Sequence, residues 1–181
     1  MPEKWKLQKS TTLNDYRIFS TKKKTTVSPK DGTIHDFYVV DPPDWVNIIA
    51  VTPAGKIVMI KQFRHGTDEI TFEIPGGMID SGETPAECAR RELLEETGFT
   101  STQWKQIGCV RPNPAFISNS CFTFLASGCE RTSETSFDTT EDIETLLVSP
   151  PEIKQHIREG VIDHCIVIAA FGFYFHWEKS Y

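Results

Sequence analysis

The stretch from Gly77 to Phe99, GMIDSGETPAECARRELLEETGF, contains a helix whose two ends are both marked in the sequence. The segment TPAE, which begins at Thr84, has the form of a capping box with proline at the first helical position. Gly98 follows the last turn, where glycine readily adopts the left-handed conformation that ends a helix. The sequence therefore predicts a helix over residues 84–97.

Three carboxylates of this helix, Glu92, Glu95 and Glu96, share one face because their spacing is i, i+3, i+4. Like charges at this spacing repel by about 0.2–0.5 kcal/mol per pair unless cations lie between them. Mg²⁺ is commonly held by a few carboxylates together with water and substrate phosphates. From the helix alone, an ordinary solvent-exposed acidic face is the favoured interpretation.

The neighbouring positions on this helix favour a packed and stiffened element. Arg91 stands four positions before Glu95, so the two side chains can form an ion pair. On the opposite side, small and apolar residues predict the face that packs on a sheet; they are Ala86, Ala89 and Leu93.

The residue types and their spacing in this stretch resemble the Nudix box. That motif reads glycine, five residues, glutamate, seven residues, then Arg-Glu-aliphatic-x-Glu-Glu-x-Gly-aliphatic. Phe99 is a mild departure, because the pattern prefers an aliphatic residue there. Agreement at so many specified positions favours a catalytic metal site over a plain acidic face. The positions in register are Gly77, Glu83, Arg91, Glu92, Leu93, Glu95, Glu96 and Gly98.

The resemblance to the Nudix hydrolases implies an α+β fold, an α/β/α sandwich with a mixed sheet between helices. It also implies Mg²⁺ as cofactor, with Mn²⁺ as a substitute, bound by Glu92, Glu95, Glu96 and the backbone carbonyl of Gly76. Bound metal would neutralise a diphosphate and stabilise the leaving phosphate. The implied catalytic residues also include Glu83, which acts through metal-bound water or neighbouring contacts, and Arg91, which orients the glutamates.

Segments outside the box resemble the branch that hydrolyses ADP-ribose and nucleoside diphosphate sugars. These are KQFR at 61–64, FEIPGG at 72–77 and a proline downstream of the box, Pro114. Asn119 stands where ADP-ribose pyrophosphatases often have an acidic residue. We therefore expect a broader specificity that includes GDP-mannose and UDP- or ADP-sugars.

Four residues are candidates for substrate binding. A guanidinium matches phosphate oxygens bidentately, so Arg64 is a candidate for a phosphate or ribose contact, with an ordinary surface arginine as the alternative. Trp45 is a candidate to stack on a base, although aromatic residues in strands are more often part of a core. Glu73 and Pro114 belong to the segments that resemble the branch.

A general base is also needed to activate water. In the branch it is usually a glutamate in the loop before the last strand, and that loop contains Glu141 and Asp142 here. Glu141 is the first choice, and Asp142 is the alternative.

The chain divides at Pro42 and Pro43, which cannot sustain a strand ladder. We expect an N-terminal β unit over 1–43, with extended segments at 16–20, 24–28 and 35–40, and a Nudix domain over 44–181. The resemblance implies a homodimer formed through this β unit. Near the C-terminus, a capping box at Ser149 and a cap at Asp163 predict two helices.

Composition restricts the partners. At 181 residues, the chain is expected to fold without stabilising disulfides or structural metals. Its net charge of −6 indicates that it lacks the basic surface that broad nucleic-acid binding requires. Five scattered cysteines suggest reduced thiols, and no apolar run is long enough for a membrane span, so we expect a cytoplasmic location. Alternative substrates are dinucleoside polyphosphates, nucleoside triphosphates and capped RNA; a non-catalytic nucleotide sensor is a further alternative.

Overall fold

The computed structural model describes residues 1–136 and 142–177. These residues form two compact units. The first consists of residues 1–43 and 111–120, and the second consists of residues 44–110 together with the described residues from 121 onward.

The first unit is built on a three-stranded antiparallel sheet in the order β1-β2-β3. Its strands are β1 (Lys6–Tyr16), β2 (Phe19–Val27) and β3 (Ile34–Asp41). Residues 111–120 belong to this unit through backbone pairing, since the Ser118 N–H donates to the Val40 carbonyl at 3.1 Å. The buried Asn119 side chain donates from Nδ2 to the Pro43 carbonyl at 2.9 Å.

The second unit contains a mixed seven-stranded sheet. The main order is β12-β5-β4-β10-β9, with β6 paired to β5 and β7 paired to β4. Only the β4–β10 pair is parallel among these described ladders. The strands are β4 (Trp45–Val51), β5 (Ile57–Arg64), β6 (Glu69–Glu73), β7 (Gly76–Met78), β9 (Gln103–Val110), β10 (Cys121–Ser127) and β12 (Ile143–Val148).

A separate two-stranded ladder joins β8 (Phe99–Thr100) to β11 (Glu130–Arg131). β4 and β5 are joined by a tight turn, but the two strands pair directly only at Val51 and Ile57. Beyond that point they diverge, and the chain from β6 to β7 lies between them, paired to β5 on one side and β4 on the other.

Helices cover both faces of this sheet: α1 (Pro85–Thr97) on one, and α2 (Pro150–Glu159) with α3 (Cys165–Trp177) on the other. Side chains alternate along β4, so Ile48 packs with α1 while Ile49 packs with α2 and α3. This arrangement confirms the predicted α/β/α sandwich. The α1 face buries the predicted residues Ala89 and Leu93 completely.

The helix ends follow the sequence closely for α1. The Thr84 N–H donates to the Glu87 carboxylate at 2.9 Å, the Glu87 N–H donates to the Thr84 hydroxyl at 3.3 Å, and Gly98 has a φ of 72°. The prediction for α3 was wrong by one residue. That helix begins at Cys165, and the backbone N–H groups of Val167 and Ile168 donate to the carbonyl of His164, the residue after Asp163.

None of the three helices in the described part of the chain combines the length and the apolar character needed to cross a bilayer. All five cysteines lie within the described residues and are unpaired; Cys88, Cys121 and Cys129 are buried, and Cys109 and Cys165 are exposed.

Candidate active site

Two consecutive glycines allow the box strand to approach its neighbours. A Cβ on Gly76 would lie 2.3 Å from the Val46 carbonyl oxygen, and a Cβ on Gly77 would lie 2.3 Å from Oε1 of Glu92. At Gly76 a side chain would clash with backbone, whereas at Gly77 it would force the Glu92 carboxylate to move. β7 can therefore pair with β4 on one side and lie against the acidic face of α1 on the other.

The guanidinium of Arg91 brings three predicted carboxylates together. Its Nε donates to Glu83 Oε1 at 3.0 Å, and its Nη1 donates to Glu92 Oε1 at 2.8 Å and to Glu95 Oε2 at 3.2 Å. Its Nη2 also donates to the carbonyl of Met78 at 3.2 Å. Arg91 thus fixes the box loop and the acidic helix face in one network, including the predicted pair with Glu95.

This network shifts the pKa of both Glu83 and Arg91 in favour of their charged forms. Hydrogen bonds from Arg91 lower the pKa of Glu83 below its ordinary value, against a smaller opposing effect of burial. The hydrogen bond with Glu83 and the charge of Glu92 raise the pKa of Arg91 despite the cost of burial. Burial, reinforced by the charge of Glu92, raises the pKa of the nearby Cys88 thiol, so Cys88 remains protonated.

Glu96 is placed differently from the other two helix carboxylates. Its side chain is buried, with 3% exposure, and Oε2 accepts a hydrogen bond from the Gly76 N–H at 2.9 Å. Glu92 is mostly covered and Glu95 is exposed, with side-chain exposures of 12% and 45%. The three carboxylates therefore differ in exposure, from the buried Glu96 to the partly exposed Glu95.

The donor chemistry of this cluster fits a divalent cation. Carboxylate oxygens are hard ligands, and the convergence of Glu83, Glu92 and Glu95 on one guanidinium shows that the site accommodates concentrated positive charge. Residues 1–136 and 142–177 contain no preassembled group of three or more His, Cys, Asp or Glu side chains in a metal-binding arrangement. The helix carboxylates are held by Arg91 and Gly76 in this structure.

A second charged cluster surrounds the predicted residues Arg64 and Glu73. The Arg64 Nε and Nη2 each donate to one Glu73 carboxylate oxygen, both at 2.7 Å. His164, which precedes α3, lies with Nδ1 3.2 Å from Glu73 Oε2. The Glu73 side chain is 3% exposed, whereas that of Arg64 is 43% exposed.

The remaining predicted residues are Trp45, Pro114, Glu141 and Asp142. Trp45 begins β4 and pairs with Met78 of the box strand, and it is partly buried. Pro114 is exposed and belongs to the first compact unit. Glu141 lies outside the described residues, and Asp142, the alternative base, is exposed just before β12.

Several contacts of the site had no local signal in the sequence. The Ser136 N–H donates to the Glu95 carbonyl at 2.9 Å, and the Thr132 N–H donates to the Gly98 carbonyl at 2.9 Å. These bonds attach the segment after β11 to the last turn of α1. The contact of His164 with Glu73 joins residues far apart in the chain and was likewise not predicted.

The box geometry and the sandwich define a Nudix hydrolase. A model of the NUDIX domain matches residues 41–167, and the chain therefore belongs to this family. The predicted resemblance is confirmed. Enzymes of this family hydrolyse pyrophosphate bonds with a divalent metal.

Individual relatives extend the comparison. An ADP-ribose pyrophosphatase of Mycobacterium tuberculosis is 30% identical over 88% of this chain and 78% of its own length. Another from Bacillus subtilis is 41% identical over 49% of this chain, which spans about half (48%) of that protein. A methanol dehydrogenase activator of Bacillus methanolicus is 29% identical over 91% of this chain and 92% of its own length.

A crystal structure of an ADP compounds hydrolase has a TM-score of 0.86 with this chain and 19% sequence identity. The match covers 98% of this chain and 96% of the other. At this identity the similarity establishes the fold, in agreement with the α+β class expected from the box.

Proposed function

We propose that this chain hydrolyses the diphosphate bond of nucleoside diphosphate sugars and releases a nucleoside monophosphate and a sugar phosphate. The observation that carries this proposal is the Arg91 network, which gathers Glu83, Glu92 and Glu95 beside the glycine strand of the box. The names of the two ADP-ribose pyrophosphatase relatives support the choice of substrate class.

The proposed metal is Mg²⁺, with Mn²⁺ as a substitute. Oxygen ligands would come from Glu92, Glu95, Glu96 and the Gly76 carbonyl, which suits the preference of Mg²⁺ for carboxylates and water. When bound, the metal supplies charge neutralisation for the diphosphate and for the leaving phosphate. Glu83 holds Arg91 from the side of the loop, so we assign Arg91 the role of orienting Glu92 and Glu95.

The substrate contacts follow from exposure and charge. Arg64 presents a partly exposed guanidinium that is bonded to Glu73 of β6, and it is assigned to a substrate phosphate. Glu73 is saturated by hydrogen bonds, which favours a role through Arg64, and direct contact with substrate stays a prediction. Trp45 and Pro114 remain candidates for contacts with the base or the ribose.

The proposed base is Glu141, with Asp142 as the alternative. Support comes from the chain on either side: Ser136 is bonded to the backbone of Glu95, and β12 begins at Ile143 in register with Gln62 of β5. A carboxylate from this segment would take the proton of the attacking water.

The range of sugars is proposed to be broad. In the sequence, Asn119 stands in place of an acidic residue, which favoured this breadth. Because the Asn119 side chain is buried and bonded to Pro43, its direct effect on a bound sugar is weaker than that argument implied. ADP-ribose is therefore the first substrate to test, with GDP-mannose, UDP-glucose and ADP-glucose beside it.

A homodimer through residues 1–43 and a cytoplasmic location are also proposed. The three-stranded sheet exposes many large apolar side chains, a pattern typical of a protein interface; they are Leu7, Leu13, Tyr16, Ile18, Ile34, Phe37 and Tyr38. The unpaired cysteines suit a reducing compartment.

The purified protein should be incubated with Mg²⁺ and these sugars, a dinucleoside polyphosphate, nucleoside triphosphates and capped RNA. Glu96→Gln serves as the inactive control, and Mn²⁺ or a chelator replaces Mg²⁺ in parallel reactions. Release of nucleoside monophosphate from the sugars, abolished by the variant and the chelator, supports the proposal. Turnover restricted to another class would replace it, and binding without turnover would favour a nucleotide sensor.

A further inference from the structure

The carboxylate of Glu73 is surrounded by four hydrogen-bond contacts from three side chains. Oε1 accepts from Arg64 Nε at 2.7 Å and from Thr71 Oγ1 at 2.5 Å. Oε2 accepts from Arg64 Nη2 at 2.7 Å and contacts His164 Nδ1 at 3.2 Å. Arg64 and His164 therefore share one carboxylate oxygen.

The position of His164 is fixed by contacts of its own segment. Its carbonyl accepts from the backbone N–H groups of Val167 and Ile168, both at 3.0 Å, in the first turn of α3. Two residues further on, the Ile166 carbonyl accepts from Nδ2 of the buried Asn47 at 3.0 Å. These contacts hold the start of α3 in place and so position the imidazole of His164 next to Glu73.

The proton on the imidazole follows from the chemistry of its neighbour. The pKa of Glu73 is lowered well below its usual range: burial raises it, but the bonds from Arg64 and His164 and the charge of Arg64 outweigh burial. An ionised carboxylate only accepts hydrogen bonds, so Nδ1 of His164 carries a hydrogen and donates a hydrogen bond to Glu73. This donation draws negative charge of Glu73 away from Arg64.

We propose that His164 is a positioning residue for substrate binding, which acts through Glu73 to orient Arg64 and to keep its positive charge available. The Glu73 fork fixes the plane of the guanidinium, while the bond from His164 limits how far Glu73 neutralises it. The exposed part of Arg64 then faces an anionic diphosphate with a set direction. This inference rests on the proposed role of Arg64 toward a substrate phosphate.

A matched pair of variants tests this role. In His164→Asn the side-chain Nδ2 occupies a position similar to that of Nδ1 and still donates, whereas His164→Leu removes the donor. We expect the Leu variant to raise KM for ADP-ribose about tenfold with kcat little changed, because uniform binding is lost. The Asn variant should keep a KM close to that of the wild type. A Leu variant that lowers kcat at unchanged KM, or an Asn variant as impaired as Leu, would overturn the proposal.

A second background separates action through Arg64 from an independent effect. In an Arg64→Ala protein, His164→Leu should change KM no further, because the residue through which it acts is gone. Equal effects in both backgrounds would contradict the proposal while leaving the hydrolase function intact.

A stability measurement keeps the test independent of the substrate. In urea unfolding, His164→Leu should destabilise the Arg64→Ala protein more than the wild type, since Glu73 then keeps only Thr71 and His164 among the three side chains that contact its carboxylate. Additive effects would overturn the coupling whatever the substrate proves to be. Failure of the wild type to hydrolyse any sugar nucleotide would count against the proposed function and not against this coupling.

Discussion

The backbone N–H of Gly76 donates to Oε2 of Glu96 at 2.9 Å and so joins the start of the box strand to the last turn of α1. The Glu96 carboxylate is buried, so this hydrogen bond from Gly76 gives it a structural role in addition to its proposed role as a metal ligand. The two roles can be separated by substitution.

Glu96→Gln retains an oxygen that can accept from Gly76 but loses the negative charge, so activity should fall about 100-fold while the unfolding midpoint changes little. Glu96→Ala loses both, and the unsatisfied Gly76 N–H should lower the free energy of unfolding by a further amount of about 1–3 kcal/mol. Thermal unfolding and Mg²⁺-dependent hydrolysis measure the two effects. Equal stability of the two variants would show that the Gly76 bond contributes nothing.

Gly77→Ala should disable the site with only modest loss of stability. The added Cβ would meet Glu92 Oε1 at 2.3 Å, so the carboxylate must turn away. A displacement of this size is expected to lower kcat/KM about 100-fold. Gly66→Ala is the matched control, because a Cβ there meets nothing within 4 Å. Full activity in Gly77→Ala would mean that the position of Glu92 is not critical.

Arg91→Ala should make the protein depend on metal for stability. Three carboxylates lose their shared cation, and since the Arg91 side chain is 30% exposed, the expected loss without metal is about 1–2 kcal/mol. Added Mg²⁺ should stabilise this variant more than the wild type. In the variant the bound metal supplies the positive charge that Arg91 supplies to the carboxylates of the wild type, and ligand binding to the native state raises its stability.

Arg91→Lys keeps the charge but cannot reach Glu83, Glu92 and Glu95 with one planar fork, so its activity should also fall. Urea unfolding with and without Mg²⁺ provides the measurement. Identical Mg²⁺ effects on wild type and Arg91→Ala would contradict the interpretation.

The stability of the fold should depend on acid through Glu73. Its pKa is lowered in the native state, so its stabilisation is fully present above the ordinary value of 4.5 and is lost as pH falls below that value toward the native pKa. Over this acidic range, the wild type should lose more free energy of unfolding than Glu73→Gln. Urea midpoints measured from pH 6 down to about pH 3 compare the two slopes. Parallel slopes would show that Glu73 remains paired equally in the unfolded chain.

Local signals determined the box helix correctly. The capping box at Thr84 and the left-handed Gly98 depend on residues close in sequence, and so does the Arg91–Glu95 pair, observed at 3.2 Å. The shared acidic face was predicted by helical spacing alone. The spacing did not predict which of these carboxylates is buried. The burial of Glu96 depends on its contact with β7, a strand that precedes the helix in the sequence.

The elements that escaped prediction depend on distant partners or lack a pattern. The expected segment 16–20 spans the turn between β1 and β2, and β1 itself was not predicted. Nearly all of β1 is exposed, and its few apolar residues, such as Leu7 and Leu13, are too widely spaced to form an alternating pattern. The two-residue strands β8 and β11 exist only through their mutual pairing. The Glu73–His164 contact joins residues 91 positions apart, and neither residue has a neighbour in sequence that announces it.

The parallel ladder between β4 and β10 has a kinetic consequence. It pairs Trp45 with Cys121 and Val51 with Ser127, so the whole Nudix box lies inside the loop that this ladder closes. The entropy lost in closing a loop of that length opposes formation of the ladder until its contacts are made, and proteins dominated by such pairings fold slowly. A nascent chain that contains the box but not yet residues 121–127 therefore holds α1 without β10, the parallel neighbour of β4, so the sheet that supports the box is completed only after residue 127 is synthesised.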